Sequence, residues 1–391
     1  MKRNIFILYA IALLQGMVFY GPVATLYRQA HGVSVLEITV IESISLALCI
    51  LLEVPWGVVA DRIGYRRTMI ICSGLYFISK IVFWRADGFC GFLLERVLLS
   101  IVLAGFSGVD ASILYLSCRG QDSQKIFGIY NSLSMAGLLL ATGAFSLIVK
   151  DNYALAGFLT VISYGLAALL SFSLREVKEP KPEKTPPEPF PVTLKTTLRN
   201  RALLLFLAGV ALLSETHQTI TVFLNQLQYA RCGMDSTSIG LVYMVATVLG
   251  LLGTYSCAVT SRLGLMRSLF LFCGLAAAAC LALAWTKRAV PSVMGILTLR
   301  LSNTLFQPFQ LEIQNQQIQT ENRATALSIH SMLISCIAIG TNLLFGALSD
   351  WRLPLAFFFG GSLCVGSMVF FFIWIQKGGI SALPPARGMA R

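Results

Sequence analysis

Charge is what this chain lacks. Of its 391 residues only 12% are Asp, Glu, Lys or Arg, where a soluble globular domain carries about a quarter. Together with 56% hydrophobic residues, that shortage excludes an ordinary water-soluble fold and puts the chain in the membrane class. Histidine is scarce, at three residues, and the ten cysteines form no CxxC pair. A metal site is therefore not expected, and the cysteines read as small apolar packing residues. No GxxxxGK[ST] loop is present, so nothing points to direct use of ATP. A nucleophile with a base in reach is also missing. Glu215-Thr216-His217 is the one candidate, and successive residues on a helix do not face one another. Neither an enzyme nor a cofactor is expected.

What the chain does have is long apolar runs. A span needs about 20 such residues to cross a hydrocarbon core of about 30 Å. Twelve runs of that kind lie near 4–27, 35–58, 68–85, 91–116, 125–149, 152–174, 201–226, 237–259, 266–286, 290–314, 325–348 and 353–376. The bilayer offers no water to backbone groups, so these runs must be helices. The expected fold is an all-α polytopic membrane protein with twelve transmembrane helices. The first run is too long, and lacks a small-residue cleavage site, to read as a signal peptide.

The formal charge of +12 raises the question of nucleic acid. With the N-terminus cytoplasmic, 20 of the 30 Lys and Arg residues fall on the inner side, 7 on the outer side (Arg28 among them) and Lys80, Arg96 and Arg300 within spans. Such an excess marks the cytoplasmic face. The basicity is topology, and no nucleic-acid partner is expected. Both termini are expected in the cytoplasm and the protein in the plasma membrane.

Between the sixth and seventh runs lies "REVKEPKPEKTPPEPFPVTLKTTLRN", which holds six of the thirteen prolines and ten charges. A segment of that composition cannot bury a core and reads as a linker. The chain is thus divided into a six-helix unit at 1–174, a linker at 175–200 and a second six-helix unit at 201–391. The units repeat at an offset of about 200 residues: Asp61-Arg62-Ile63-Gly64 falls on Ser261-Arg262-Leu263-Gly264, and Arg67 on Arg267.

The loop that ends the second run, "GVVADRIGYRR", carries a resemblance. Gly57, Asp61, Arg62, Gly64, Arg66 and Arg67 match the Gly-x-x-x-Asp-Arg-x-Gly signature, with its following basic residues, of the major facilitator superfamily. Tyr65 departs from it, since a basic residue is common there. The twelve runs, the long central inner loop and the repeat resemble that family over the whole chain. The resemblance implies two pseudo-symmetric six-helix bundles, alternating access to a central site, and a cavity lined by the first, fourth, seventh and tenth spans. It also implies that the loop cluster, with Asp110 as its acidic partner by depth, latches the cytoplasmic gate.

Ionisable groups inside spans are costly and mark function by default. Here they are Glu42, Glu53, Lys80, Glu95, Arg96, Asp110, Glu215, His217, Arg300 and Glu312. In the tenth span Arg300, Asn303, Gln307 and Gln310 share one helical stripe. The seventh span repeats the pattern with Ser214, Gln218, Thr221 and Asn225, flanked by Glu215 and His217. At about 1.5 Å per residue, Glu42 and Arg96 lie at matching depth, as do Glu215 and Arg300. Each pair is either a structural salt bridge or a switch in which a proton on the carboxyl frees the cation. Phe19, Tyr20, Tyr243, Phe306 and Phe309, with Gln15, add an aromatic surround that favours an amphipathic or aromatic solute over a sugar.

The expected function is secondary active transport of a small solute, coupled to a proton gradient, leaning to efflux and carried out by a monomer whose partners are the solute and the lipid bilayer. The fifth span, "YNSLSMAGLLLATGAF", has glycines but no proline, unlike many drug-proton antiporters of the family. An importer of the same fold, or a non-transporting sensor, is the competing reading.

Overall fold

The computed structural model describes residues 2–106, 109–118, 123–177, 190–317 and 323–377, and twelve of its helices are long and apolar enough to cross a membrane. In chain order these are Arg3–Ala30, Val35–Leu52, Tyr65–Arg85, Gly88–Phe106, Lys125–Val149, Tyr153–Ser171, Arg201–Arg231, Ser236–Leu263, Leu265–Trp285, Ala289–Gln316, Ala326–Trp351 and Leu353–Gln376. No strand occurs among the described residues. The second helix itself continues beyond its apolar window to Ile63.

Two compact units result. The first is Met1–Pro182 with Asp235–Thr247, and the second is Glu183–Met234 with Val248–Arg391. This division crosses the eighth span at Thr247, whereas composition alone puts the whole of that span in the second unit. Residues 178–189, the centre of the expected linker, lie outside the described residues, and Phe190–Arg199, expected to be flexible or PPII-like, is an α-helix.

The 200-residue repeat is written into backbone geometry. Gly64 and Gly264 precede the third and ninth spans with φ of 89° and 78°, a region that only glycine enters cheaply. Four residues on, the Thr68 hydroxyl donates to the Gly64 carbonyl at 3.0 Å and the Ser268 hydroxyl to the Gly264 carbonyl at 2.8 Å. The turns after the first and seventh spans match likewise, at Gly32 (φ 78°) and Gly233 (φ 74°).

Packing inside each unit follows membrane rules, in which close backbone approach and interhelical hydrogen bonds replace hydrophobic drive. In the first unit a Cβ on Gly16 would strike the Ser134 carbonyl, and one on Gly137 the Leu13 carbonyl. The first and fifth spans therefore touch main chain to main chain. The Tyr164 hydroxyl donates to the Gln15 carbonyl at 2.6 Å, and the Ser163 hydroxyl to that of Leu14, which ties the sixth span to the first. In the second unit the Ser367 hydroxyl donates to the Gly209 carbonyl at 2.7 Å. An aromatic core of Phe206, Phe272, Phe306, Phe371 and Trp374 fills the space beside it.

The first and seventh spans are irregular. The first breaks after Gly16, passes through a 3-10 turn at Gly21–Val23 and restarts at Ala24. The seventh carries a π-helical turn at Ile220–Leu224, a feature that often attends functional sites.

Candidate functional site

In the first unit, four helices converge on one group of charges. Arg28 ends the first span, Glu42 lies seven residues into the second, Lys80 five residues from the end of the third, and Glu95 and Arg96 seven and eight residues into the fourth. All lie within about 12 Å of the same ends of their helices. Arg96 Nη2 donates to Glu42 Oε2. Arg28 approaches Glu42 at 3.9 Å and Glu95 at 3.7 Å, and Lys80 approaches Glu95 at 3.8 Å. Lys80 Nζ also donates to the Tyr20 hydroxyl at 3.0 Å. Aromatic faces complete the surround: Arg28 lies 5.7 Å from the Phe83 ring centroid, and Lys80 5.0 Å from that of Tyr76.

Glu42 and Arg96, matched in depth by their positions in the sequence, are in contact. Arg28, which falls among the outer-side cations in the sequence, joins them. The cause is the break in the first span: the helix restarts at Ala24 and runs to Ala30, which carries the Arg28 side chain inward. Lys80 and Glu95 stood out in the sequence as costly charges, but nothing in their spacing paired them.

The second unit is built differently. Glu215 Oε1 lies 2.7 Å from the Thr219 hydroxyl, which lies 3.0 Å from Asn342 Oδ1 on the eleventh span. One hydroxyl carries one proton, so it cannot donate to both. Two assignments satisfy the same heavy atoms. With Glu215 ionised, Thr219 donates to it and a flipped Asn342 amide donates to Thr219. With Glu215 protonated, the carboxyl donates to Thr219 and Thr219 donates to the Asn342 carbonyl oxygen. Neither Thr219 nor Asn342 was singled out in the sequence, although Thr219 stands four residues from Glu215, the spacing of facing neighbours on a helix.

The polar stripes divide. Gln218 and Gln307 are exposed, Arg300 and Gln310 half-buried, and Asn303 buried with its side-chain oxygen lacking a hydrogen-bond partner among the described residues. Gln310 accepts from the Gln314 amide at 3.1 Å. Exposed amides in mid-span require water rather than lipid beside them. His217 is fully buried with neither ring nitrogen hydrogen-bonded among the described residues, and the Phe306 ring centroid is 6.5 Å away. Phe306 and Phe309 are buried in the aromatic core of the second unit, and Tyr20 is buried beside Lys80.

In the segment before the third span, the side chains of Gly57, Asp61 and Arg62 lie outside the described residues. Arg66 donates through Nε to the Leu174 carbonyl at 2.6 Å and through Nη2 to that of Phe172 at 3.1 Å. Its backbone N–H meets Glu176 at 3.3 Å. The guanidinium thus caps the carbonyl end of the sixth span, while Glu176 sits at the amide end of the third, each charge matched to its helix end. Arg67 is exposed. Asp110 accepts from the Tyr130 hydroxyl at 3.1 Å.

Comparison with known proteins agrees with this architecture. A family model described as Major Facilitator Superfamily matches residues 5–333. An uncharacterised MFS-type transporter of Methanocaldococcus jannaschii is 24% identical over 181 residues, 44% of this chain and 45% of that protein. The aligned part is thus less than half of that relative. Among solved structures, the nucleoside transporter NupG superposes with a TM-score of 0.81 at 14% identity, covering 96% of this chain and 100% of that one. The D-xylose-proton symporter gives 0.71 at 13% identity, covering 95% and 97%. Likeness at such low identity carries the fold alone.

Proposed function

Because the chain belongs to the major facilitator superfamily, we propose that it is a proton-coupled secondary transporter that exports a small amphipathic solute by alternating access. It acts in the plasma membrane as a monomer with both termini in the cytoplasm. The surplus of Lys and Arg in the loops assigned to the inner side supports that orientation. The inner-loop residues Gly57, Asp61, Arg62, Gly64, Arg66 and Arg67, with Asp110, form its cytoplasmic gate.

The observation that carries the coupling is the Glu215–Thr219–Asn342 chain. A carboxyl that keeps the same neighbours in both protonation states, with only the Asn342 amide turning over, can load and release a proton at little structural cost. The bound proton then biases the conformational equilibrium by differential affinity. Gln218 and Gln307, exposed in mid-span, line the wet face along which solute and proton approach. His217 has no part in this relay and remains a neutral packing group. The nucleoside and xylose transporters make import the second reading, resting on shared fold.

The test is flux in proteoliposomes under an imposed pH gradient, with a panel of amphipathic solutes. Glu215→Gln is expected to abolish gradient-driven flux while solute exchange at equal pH persists. Gradient-driven flux of wild-type rate in that variant, or flux driven by sodium alone, would overturn the proton role. Accumulation that runs with the proton, rather than against it, would replace export by import.

A further inference from the structure

Among the described residues, the charges of the first unit's four-helix cluster do not balance. Arg28, Lys80 and Arg96 face Glu42 and Glu95, three cations against two carboxylates. The surplus is one positive charge at a depth where an uncompensated ion costs several kcal/mol. The hydrogen bonding is incomplete as well. Contacts of 3.7 to 3.9 Å are charge proximity and not hydrogen bonds. Arg28 Nε and Arg96 Nε are buried donors, and Glu42 Oε1 and Glu95 Oε2 buried acceptors, without a partner among the described residues.

Four of the five side chains are sealed. The Glu95 side chain is 1% exposed and those of Arg28, Lys80 and Glu42 no more than 8%, but Arg96 is 22% exposed. The surplus charge therefore has one accessible outlet. Glu42 occupies Nη2 of that guanidinium and Nε is buried, leaving the remaining Nη N–H groups for a second acceptor.

Resting on the transport reading above, we propose that this cluster is an anion subsite, in which Arg96 grips the carboxylate of an amphipathic monocarboxylate solute. One negative charge brings the five groups to neutrality. A phosphate monoester, at about −1.5 to −2 near pH 7, overshoots that balance. Arg28 and Lys80 act behind Arg96 as positioning residues: they hold the field and keep Glu42 and Glu95 turned inward. An inside-negative membrane potential favours the outward movement of such a solute.

The test is ligand-dependent thermal stabilisation of the full-length protein in detergent, with 4-phenylbutyrate as probe beside its amide, its alkyl phosphate analogue and its primary ammonium analogue. The carboxylate is expected to raise the Tm of the wild type, and the other three to have much smaller effects. Arg96→Gln strands Glu42, so the deciding variant is the double change Arg96→Gln with Glu42→Gln. This keeps the surplus of one but removes the gripping group, and carboxylate binding should fall about tenfold to a hundredfold. Glu42→Gln alone raises the surplus to two and should tighten binding. Equal stabilisation by amide and carboxylate, preference for the ammonium or phosphate, or wild-type affinity in the double variant would each overturn the subsite. The reading of transport fails separately: binding with no flux of the bound carboxylate in proteoliposomes sinks transport and spares the subsite. Flux of the carboxylate that stays at the wild-type rate in the double variant does the reverse.

Discussion

The two halves share a backbone plan and part company over charge. At an offset of 200 or 201 residues, Arg28 falls on Gln228 or Tyr229, Glu42 on Val242 or Tyr243, Lys80 on Cys280 or Leu281, and Glu95 and Arg96 on residues from Gly295 to Leu297. Every counterpart is neutral. Where the first half holds its helices with ion pairs, the second uses amide and hydroxyl: Gln228 donates to the Thr286 carbonyl at 3.1 Å and to the Ser292 hydroxyl at 2.8 Å. A fold thus needs its helix ends joined at this level, and neutral hydrogen bonds do it. Charge is not required for the fold, which is why its presence in one half alone argues for another use.

Removing one buried carboxylate should produce the largest difference between the halves. Glu95→Leu takes from Lys80 its carboxylate and leaves Arg28 only Glu42, and should cost about 3–5 kcal/mol, read from unfolding in mixed micelles. Ile296→Val, at the matching place in the second half, should cost about 0.5–1.5 kcal/mol. Similar losses in the two would mean that the first-half charges are ordinary packing.

A smaller effect separates the matched turns. Gly64→Ala and Gly264→Ala each force a side chain into positive φ with extended ψ, at about 1–3 kcal/mol. At Gly64 the new Cβ also meets the Glu176 carboxylate at 3.2 Å, whereas at Gly264 nothing lies within 4 Å. Gly64→Ala should therefore be the more damaging in the same unfolding assay, and the reverse order would refute the role assigned to Glu176.

The smallest difference lies at the starts of the second and eighth spans. Ser34 and Glu37 cap reciprocally, with Ser34 N–H donating to Glu37 at 2.8 Å and Glu37 N–H to the Ser34 hydroxyl at 3.1 Å. At the matching place the acid and hydroxyl are exchanged, and the Ser238 hydroxyl donates to Asp235 at 2.5 Å. That bond holds the exposed Asp235 carboxyl below its ordinary value of 3.8. A lowered folded pKa means that the contribution is present above 3.8 and disappears as pH falls through the folded value. Melting curves across the acid range should show Asp235→Asn with a slightly shallower acid loss than wild type.

Some of this was legible in the chain and some was not. Span number and position follow from runs of apolar residues, because a bilayer imposes length and a helix satisfies its own backbone. The repeat was legible from Gly64 and Gly264, since a positive φ leaves few other residues. Depth was legible too, because rise per residue is constant, and it brought Glu42 to Arg96. Azimuth was not. Depth alone does not tell which of several helices stands beside Glu95, and a break such as that after Gly16 resets the face that follows. Arg28 was misplaced for that reason, and Asn342 was invisible because it lies 123 residues from Thr219 in sequence.

An all-helical membrane fold, its internal duplication and the turns between helices are fixed by the order of residues, because all of them depend on neighbours in the chain and on the thickness of the solvent. Which buried charges neutralise one another, and which one is left over, emerges once the helices pack. That balance is a sum over side chains brought together from four helices, and no local pattern records it.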